Sequence, residues 1–184
     1  MVRVVVLREL GFVPSTQRLD KPAPGQRAKT VSDTMNDTSN TKIVLMAKDD
    51  SDDRLLAKDA FADRGWEGDL RFVDDGEDLL DYLKLRGKHS APAAAPRPGL
   101  ILLDLNMPSK DGREALREIK ADAELRRISV VVFTTSKAGP DIDHLYDLGA
   151  NSFITKPVQF DALVNVLRVL NQYWFNTVEL PEPN

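Results

Sequence analysis

Leu100-Ile101-Leu102-Leu103-Asp104-Leu105-Asn106-Met107-Pro108 decides how this chain folds. Four consecutive aliphatic residues leave no polar face, so Leu100–Leu103 reads as a strand covered on both sides. Asp104 ends that run. The same pattern recurs on either side of it. Ile43–Ala47 is an apolar run that stops at Lys48-Asp49-Asp50, and Leu70–Val73 is a second short run. Val130–Phe133 stops at Thr134-Thr135, and Ser152–Thr155 stops at Lys156-Pro157. Between these runs the spacing turns helical.

Ser51 is a fair N-cap for the first helix, Asp52 and Asp53 suit its positive end, and Leu55, Leu56, Ala60 and Phe61 predict its apolar face. Gly65 stops it. Leu79, Leu80 and Leu83 mark a second helix between Gly76 and Gly87, and the Pro/Ala-rich stretch from Lys88 to Gly99 reads as a surface loop. Ala115, Leu116 and Ile119 mark a third helix over 111–122. Pro140 suits the first turn of a fourth, ended by Gly149. Phe160, Leu163, Val164, Leu167 and Leu170 line a fifth that runs to about Trp174. Five strand–helix repeats in strict alternation predict an α/β fold: a parallel sheet with helices on both faces and right-handed crossovers.

Composition sets the outer limits. The chain has 184 residues, 42% hydrophobic and 29% charged, which suits one domain with a real core. It contains no cysteine, so disulfides, Cys-based zinc sites and thiol nucleophiles are excluded, and two histidines make a multi-His metal centre a poor reading. The longest apolar run is five residues, far short of a membrane span. Net charge is −4, but residues 1–34 carry six basic groups against three acidic ones, so the rest carries −7. That basic head lacks periodicity, and residues 1–40 read as a disordered leader, with Met35 a second possible start. The body is expected over 41–174 and a tail over 175–184. The net acidity argues against a nucleic-acid partner, and no membrane partner is expected; the chain reads as cytoplasmic.

Ligands of open parallel sheets sit at the carboxyl ends of the strands. Gathered there are Asp49 and Asp50 after the first strand, Asp104 after the third, Thr134 after the fourth and Lys156 after the fifth. Clustered carboxylates repel unless a cation joins them, and an all-oxygen set without His or Cys suits Mg²⁺. A carboxylate can accept a phosphoryl group, and the charge developing on the transferred oxygens calls for Mg²⁺, a hydroxyl and an ammonium around it. The inventory fits phosphoryl transfer onto Asp104, with Thr134 and Lys156 as oxygen ligands.

Taken together, Leu102-Leu103-Asp104-Leu105-Asn106-Met107-Pro108 with Asp111-Gly112, then Phe133-Thr134-Thr135-Ser136, then Lys156-Pro157, resemble the receiver domain of two-component response regulators. Asp52-Asp53-Arg54-Leu55-Leu56, the loop at 95–99 and the tail from Tyr173-Trp174-Phe175 to Pro181 point to single-domain regulators that serve phytochrome-type histidine kinases. The resemblance implies a flavodoxin-like sheet of order 2-1-3-4-5. It implies that Asp104 accepts phosphoryl from a histidine kinase or phosphotransfer protein. Asp49, Asp104 and the backbone carbonyl of Asn106 would hold Mg²⁺. Thr134 and Phe153 would be switch residues, Asn106 and Ser136 would tune dephosphorylation, and Lys156–Pro157 would be a cis bond. It also implies a homodimer and output by protein contact, with no enzymatic activity beyond self-catalysed phosphotransfer and dephosphorylation.

One position departs from the family. Two adjacent acids usually follow the first strand, and aligned on Asp52-Asp53-Arg54-Leu55-Leu56 the first falls on Lys48 and the second on Asp49. A shift of one residue makes Asp49 and Asp50 the pair instead, with Asp50 as a metal ligand. Lys48 predicts weakened Mg²⁺ affinity. The alternative function is a pseudo-receiver, an interaction module whose phosphorylation Lys48 impairs. An Asp-nucleophile phosphatase would need a general acid two residues after Asp104, where Asn106 stands. His89, His144 and the pair Arg126-Arg127 read as solvated, and Trp66 and Trp174 as packing anchors.

Overall fold

The computed structural model describes residues 42–62, 68–135 and 139–181, with 139–141 described for their backbone alone. The leader, Gly65, Trp66 and Ser136 lie outside the described residues. Five strands alternate with five helices: β1 (Ile43–Ala47), α1 (Ser51–Ala62), β2 (Asp69–Val73), α2 (Gly76–Leu83), β3 (Leu100–Leu103), α3 (Gly112–Ala121), β4 (Ser129–Thr134), α4 (Gly139–Asp147), β5 (Ser152–Thr155) and α5 (Phe160–Asn176). The sheet is parallel throughout, in the order β2-β1-β3-β4-β5. Among the described residues no helix is long and apolar enough to cross a membrane.

Strand side chains alternate between the faces, and the central strands feed two separate cores. Leu45, Ala47, Ile101, Leu103, Val130 and Val132 pack against Leu79 and Leu80 of α2, Leu116 and Ile119 of α3 and Leu145 of α4. Val44, Met46, Leu100, Leu102, Val131 and Phe133 pack against Ala57, Ala60 and Phe61 of α1 and Leu163, Val164, Leu167 and Trp174 of α5. β1, β3 and β4 are buried along their whole length, which suits apolar runs; only Ser129 and Thr134, at the ends of β4, are polar. The register pairs Ala47 with Leu103, Leu103 with Val132 and Val132 with Phe153, so these strands end close to one line.

Several expectations need correction. Leu55 and Leu56 are 58% and 41% exposed; α1 turns Ala57, Ala60 and Phe61 inward, and Leu55 falls about 160° around the helix from Ala57 at about 100° per residue. Phe160, the first residue of α5, is likewise mostly outside the core. His89 is not solvated: it sits in a 3₁₀ turn with Nε2 2.8 Å from Asp78 Oδ1, its ring edge-on to Tyr82. No peptide bond among the described residues is cis, so Lys156–Pro157 is trans, the isomer that X–Pro bonds favour by about 0.5–1 kcal/mol. The last helix runs two residues past the expected Trp174, to Asn176, and Phe175, Val178 and Leu180 pack on the second core. Trp174 is a buried anchor and Arg126, Arg127 and His144 are exposed, as expected.

Candidate functional site

Lys48 is the residue that follows β1, and the register that pairs Ala47 with Leu103 carries on to set it beside Asp104. Its backbone is held at both ends: the N–H donates to Val73 O at 3.1 Å, and the carbonyl accepts from Arg54 Nε at 2.5 Å. Arg54 is itself anchored on Asp74 at 2.7 Å. The Lys48 side chain lies over the strand ends, with Nζ 2.8 Å from Asp104 Oδ2, 3.0 Å from Asp49 Oδ1 and 3.7 Å from Asp53 Oδ2. Three carboxylates thus face one ammonium.

Asp104 is 6% exposed. Its other carboxylate oxygen accepts the N–H of Asn106 at 3.3 Å, and its backbone N–H donates to Ala47 O at 3.1 Å. The loop beyond it folds back so closely that a Cβ on Gly112 would lie 2.1 Å from the Asp104 carbonyl oxygen. Only glycine fits there, which gives the Asp111-Gly112 pair its structural reason. Asp111 caps α3 by accepting the Arg113 N–H at 2.6 Å.

Thr134 ends β4 fully buried, and its carbonyl accepts the Lys156 N–H at 2.7 Å. The Lys156 side chain, 7% exposed, reaches Asp53 Oδ1 at 2.5 Å in an ion pair without hydrogen-bond geometry. Asp53 therefore stands between both lysines. It was legible only as a helix N-terminal charge. The missed signal is its place in the first turn of α1, three residues after the cap Asp50, which keeps it at the strand-end rim. Phe153 is partly buried against the first core, with its N–H donated to the Tyr146 hydroxyl at 3.3 Å.

Asp50 has other work. Its Oδ1 accepts the N–H groups of Asp52 and Asp53, each at 2.9 Å, so Asp50 and not Ser51 is the N-cap of α1. That capping role commits Asp50 Oδ1 to the helix and accords with the alignment that puts Lys48 in the first acidic position.

Burial works to lower the Lys48 pKa, but hydrogen bonding to Asp104 and Asp49 outweighs it and holds the ammonium well above its ordinary value of 10.5. For Asp49, burial works upward, and the bond from Lys48 outweighs it to hold the carboxyl below 3.8. Among the described residues no three His, Cys, Asp or Glu side chains are placed to hold a metal ion by themselves. Two carboxylates and a backbone carbonyl, all oxygen, nevertheless match the partial coordination that Mg²⁺ takes when water completes its shell. The donor chemistry fits a hard divalent cation; the space between the carboxylates holds an ammonium.

The response regulator receiver domain pattern matches residues 44–168. Response regulator Rcp1 of Synechocystis sp. (strain ATCC 27184 / PCC 6803 / Kazusa) is 37% identical over 148 residues, 80% of this chain and 99% of its own length. The phosphorylated cyanobacterial phytochrome response regulator RcpA superposes with a TM-score of 0.71 at 39% identity, over 77% of this chain and 99% of that one. The Mn²⁺-bound form of Rcp1 superposes with a TM-score of 0.69 at 36% identity over the same shares. The chain belongs to the response regulator receiver family and is a homologue of the single-domain phytochrome response regulators.

Proposed function

We propose that Asp104 accepts a phosphoryl group from the phosphohistidine of a sensor histidine kinase, phytochrome-type by kinship, or of a phosphotransfer protein. The observation that carries this reading is the convergence of Asp104 and Asp49 on one point at the carboxyl rim, with Thr134 and Lys156 on the adjoining strand ends. In the transfer, the phosphorus–nitrogen bond breaks with its electron pair returning to the donor imidazole. A bond forms between phosphorus and a carboxylate oxygen of Asp104. The Thr134 hydroxyl and the Lys156 ammonium take the phosphoryl oxygens, and Lys156 leaves Asp53 to do so. Asp49, Asp104 and the carbonyl of Asn106 would hold Mg²⁺, which supplies positive charge against the phosphoryl oxygens when bound. Asn106, two residues after Asp104, sets the hydrolysis rate of the acyl phosphate, and by the family resemblance Ser136 shares that role.

Burying a new dianion at this rim draws Thr134 toward it, and Phe153 on the neighbouring strand follows. The face of α4, β5 and α5 is thereby remodelled. Output passes through protein contact in the cytoplasm, and the chain pairs with a second copy through that face. Val169 and Tyr173, 52% and 50% exposed on α5, are its apolar contacts. The phosphotransfer and its reversal are the only chemistry assigned.

Incubation with a labelled phosphodonor tests the reading. The wild-type chain takes an acid-stable, base-labile label and Asp104→Asn takes none. Label on the Asn variant, or none on the wild type from any donor kinase or small phosphodonor, would overturn it.

A further inference from the structure

We propose that Lys48 is a tethered cation: its ammonium takes the seat of the divalent ion in the resting protein, and a metal enters only by displacing it. The inference rests on the reading of this rim as the phosphoacceptor site, and says how that site is regulated.

Three observations carry it. First, the ammonium is where a shared cation must be. It touches both side chains that would ligate the metal, at 2.8 Å from Asp104 and 3.0 Å from Asp49. An ion bridging those two oxygens would collide with it. Second, the charges balance. Lys48 and Lys156 against Asp49, Asp53 and Asp104 leave the cluster at −1. With a carboxylate in place of Lys48 the same cluster would stand at −3, and a divalent ion would return it to −1. The lysine thus supplies the charge compensation for which such a rim otherwise needs a metal. Third, the placement is built into the fold. The Lys48 main chain is fixed by Val73 and by the Arg54 guanidinium, and its side chain is only 13% exposed. Only the side-chain torsions are free, and Asp53 Oδ2, 3.7 Å from Nζ, is the anion toward which the ammonium can withdraw.

A displaced ammonium remains within reach of a phosphoryl group on Asp104. Lys48 therefore makes the resting site indifferent to the metal without removing a cation from the loaded one.

Direct Mn²⁺ binding to the full, unphosphorylated chain tests this, read by the electron paramagnetic resonance signal of free Mn²⁺, with Mg²⁺ competition. The expected order of affinity is Lys48→Asp, then Lys48→Met, then wild type, with at least tenfold between the extremes. Adding Mg²⁺ raises the melting temperature of Lys48→Asp and leaves that of the wild type unmoved. Asp104→Asn in the Lys48→Asp background abolishes the gain and locates the ion. Equal Mn²⁺ affinities for wild type and Lys48→Met overturn the proposal, and that comparison stands even if Lys48→Asp fails to fold. No phosphodonor enters these measurements. Unequal affinities without labelling of Asp104 would defeat the phosphoacceptor reading alone, and labelling with equal affinities would defeat the tethered cation alone.

Discussion

At the carboxyl ends of β1, β3 and β5 stand Lys48, Asp104 and Lys156; at the opposite rim Gly99, just before β3, lies beneath Leu180 and Phe175. A Cβ on Gly99 would come within 2.8 Å of Leu180 Cδ1 and 3.2 Å of Phe175 Cε1, so apolar cover comes down directly onto the backbone there. At the first rim, charged groups are desolvated side by side. Their attraction offsets the loss of hydration only in part, and apolar replacements of similar volume often do as well or better for stability. At the second rim the cover is apolar, and burial is opposed chiefly by the entropy of ordering the chain. The difference separates two kinds of energetics on one sheet: the charged rim adds little to stability for the charge it gathers, and the covered rim adds stability directly.

The largest effect should come from the covered rim. Trp174, 9% exposed, closes the second core from α5. Trp174→Ala should cost about 3–5 kcal/mol in urea unfolding, with little dependence on salt. A loss under about 1 kcal/mol would break the comparison, because the covered rim would then not carry stability.

Next comes the charged rim. Asp53→Asn leaves Lys156 Nζ, 7% exposed, without its carboxylate and removes one of the three anions around Lys48. The expected cost is about 2 kcal/mol, typical of stranding a buried polar group. It should shrink in molar salt, where the Trp174 effect should not. Salt-independent loss would mean that Asp53 acts by packing alone.

A chain ending at Thr177 sharpens the contrast further. It removes Val178 and Leu180, both half-buried against the second core. Unfolding free energy should fall by about 1 kcal/mol, the scale of two partly buried aliphatic side chains. Mn²⁺ binding should be unchanged, since the two rims lie at opposite ends of the strands.

These contrasts also explain what could be read from the chain in advance. The strand runs and the residues that end them were legible, because two-sided burial demands uninterrupted apolar residues and the first polar residue must then lie at a rim. Lys48, Asp104 and Thr134 followed from that alone; Asp49 is the second polar residue after β1, and Lys156 ends a strand that carries Ser152 and Thr155 and is only partly buried. The partners were not legible. Lys156 is bound to Asp53 and Asp104 to Lys48, pairings that depend on side-chain reach across three strands and a helix. On the inward face of α1, Ala60 and Phe61 were legible; Ala57 was not, because Leu55 and Leu56 outrank it in hydrophobicity, whereas a helix packed beside α5 selects a small residue for close approach. The packing after α5 was not legible because Val178 and Leu180 lie outside any periodic pattern, and the place where α5 ends brings Leu180 back over Gly99.

The smallest effect is the pH dependence of the charged rim, and it has two limbs. Lys48 faces Asp49, Asp53 and Asp104, and its pKa is raised from 10.5: burial opposes the shift, and the hydrogen bonds to Asp104 and Asp49 impose it. A group with a raised folded pKa contributes stability fully below its unfolded value and loses it as pH rises through the folded one. Its contribution should therefore be constant below about pH 10.5 and decline above. Asp49 is shifted the other way, below 3.8, with burial opposing and Lys48 prevailing. Its contribution is present above 3.8 and declines as pH falls through the folded value. The difference in urea midpoint between wild type and Lys48→Met should thus be widest on a plateau between these limits and narrow at both ends. Asp49 is mostly open to water, so the acid limb should be the shallower. A difference that stays level through the acid limb would show that Asp49 does not feel the ammonium beside it, and the hold on Lys48 would then rest on Asp104 and Asp53.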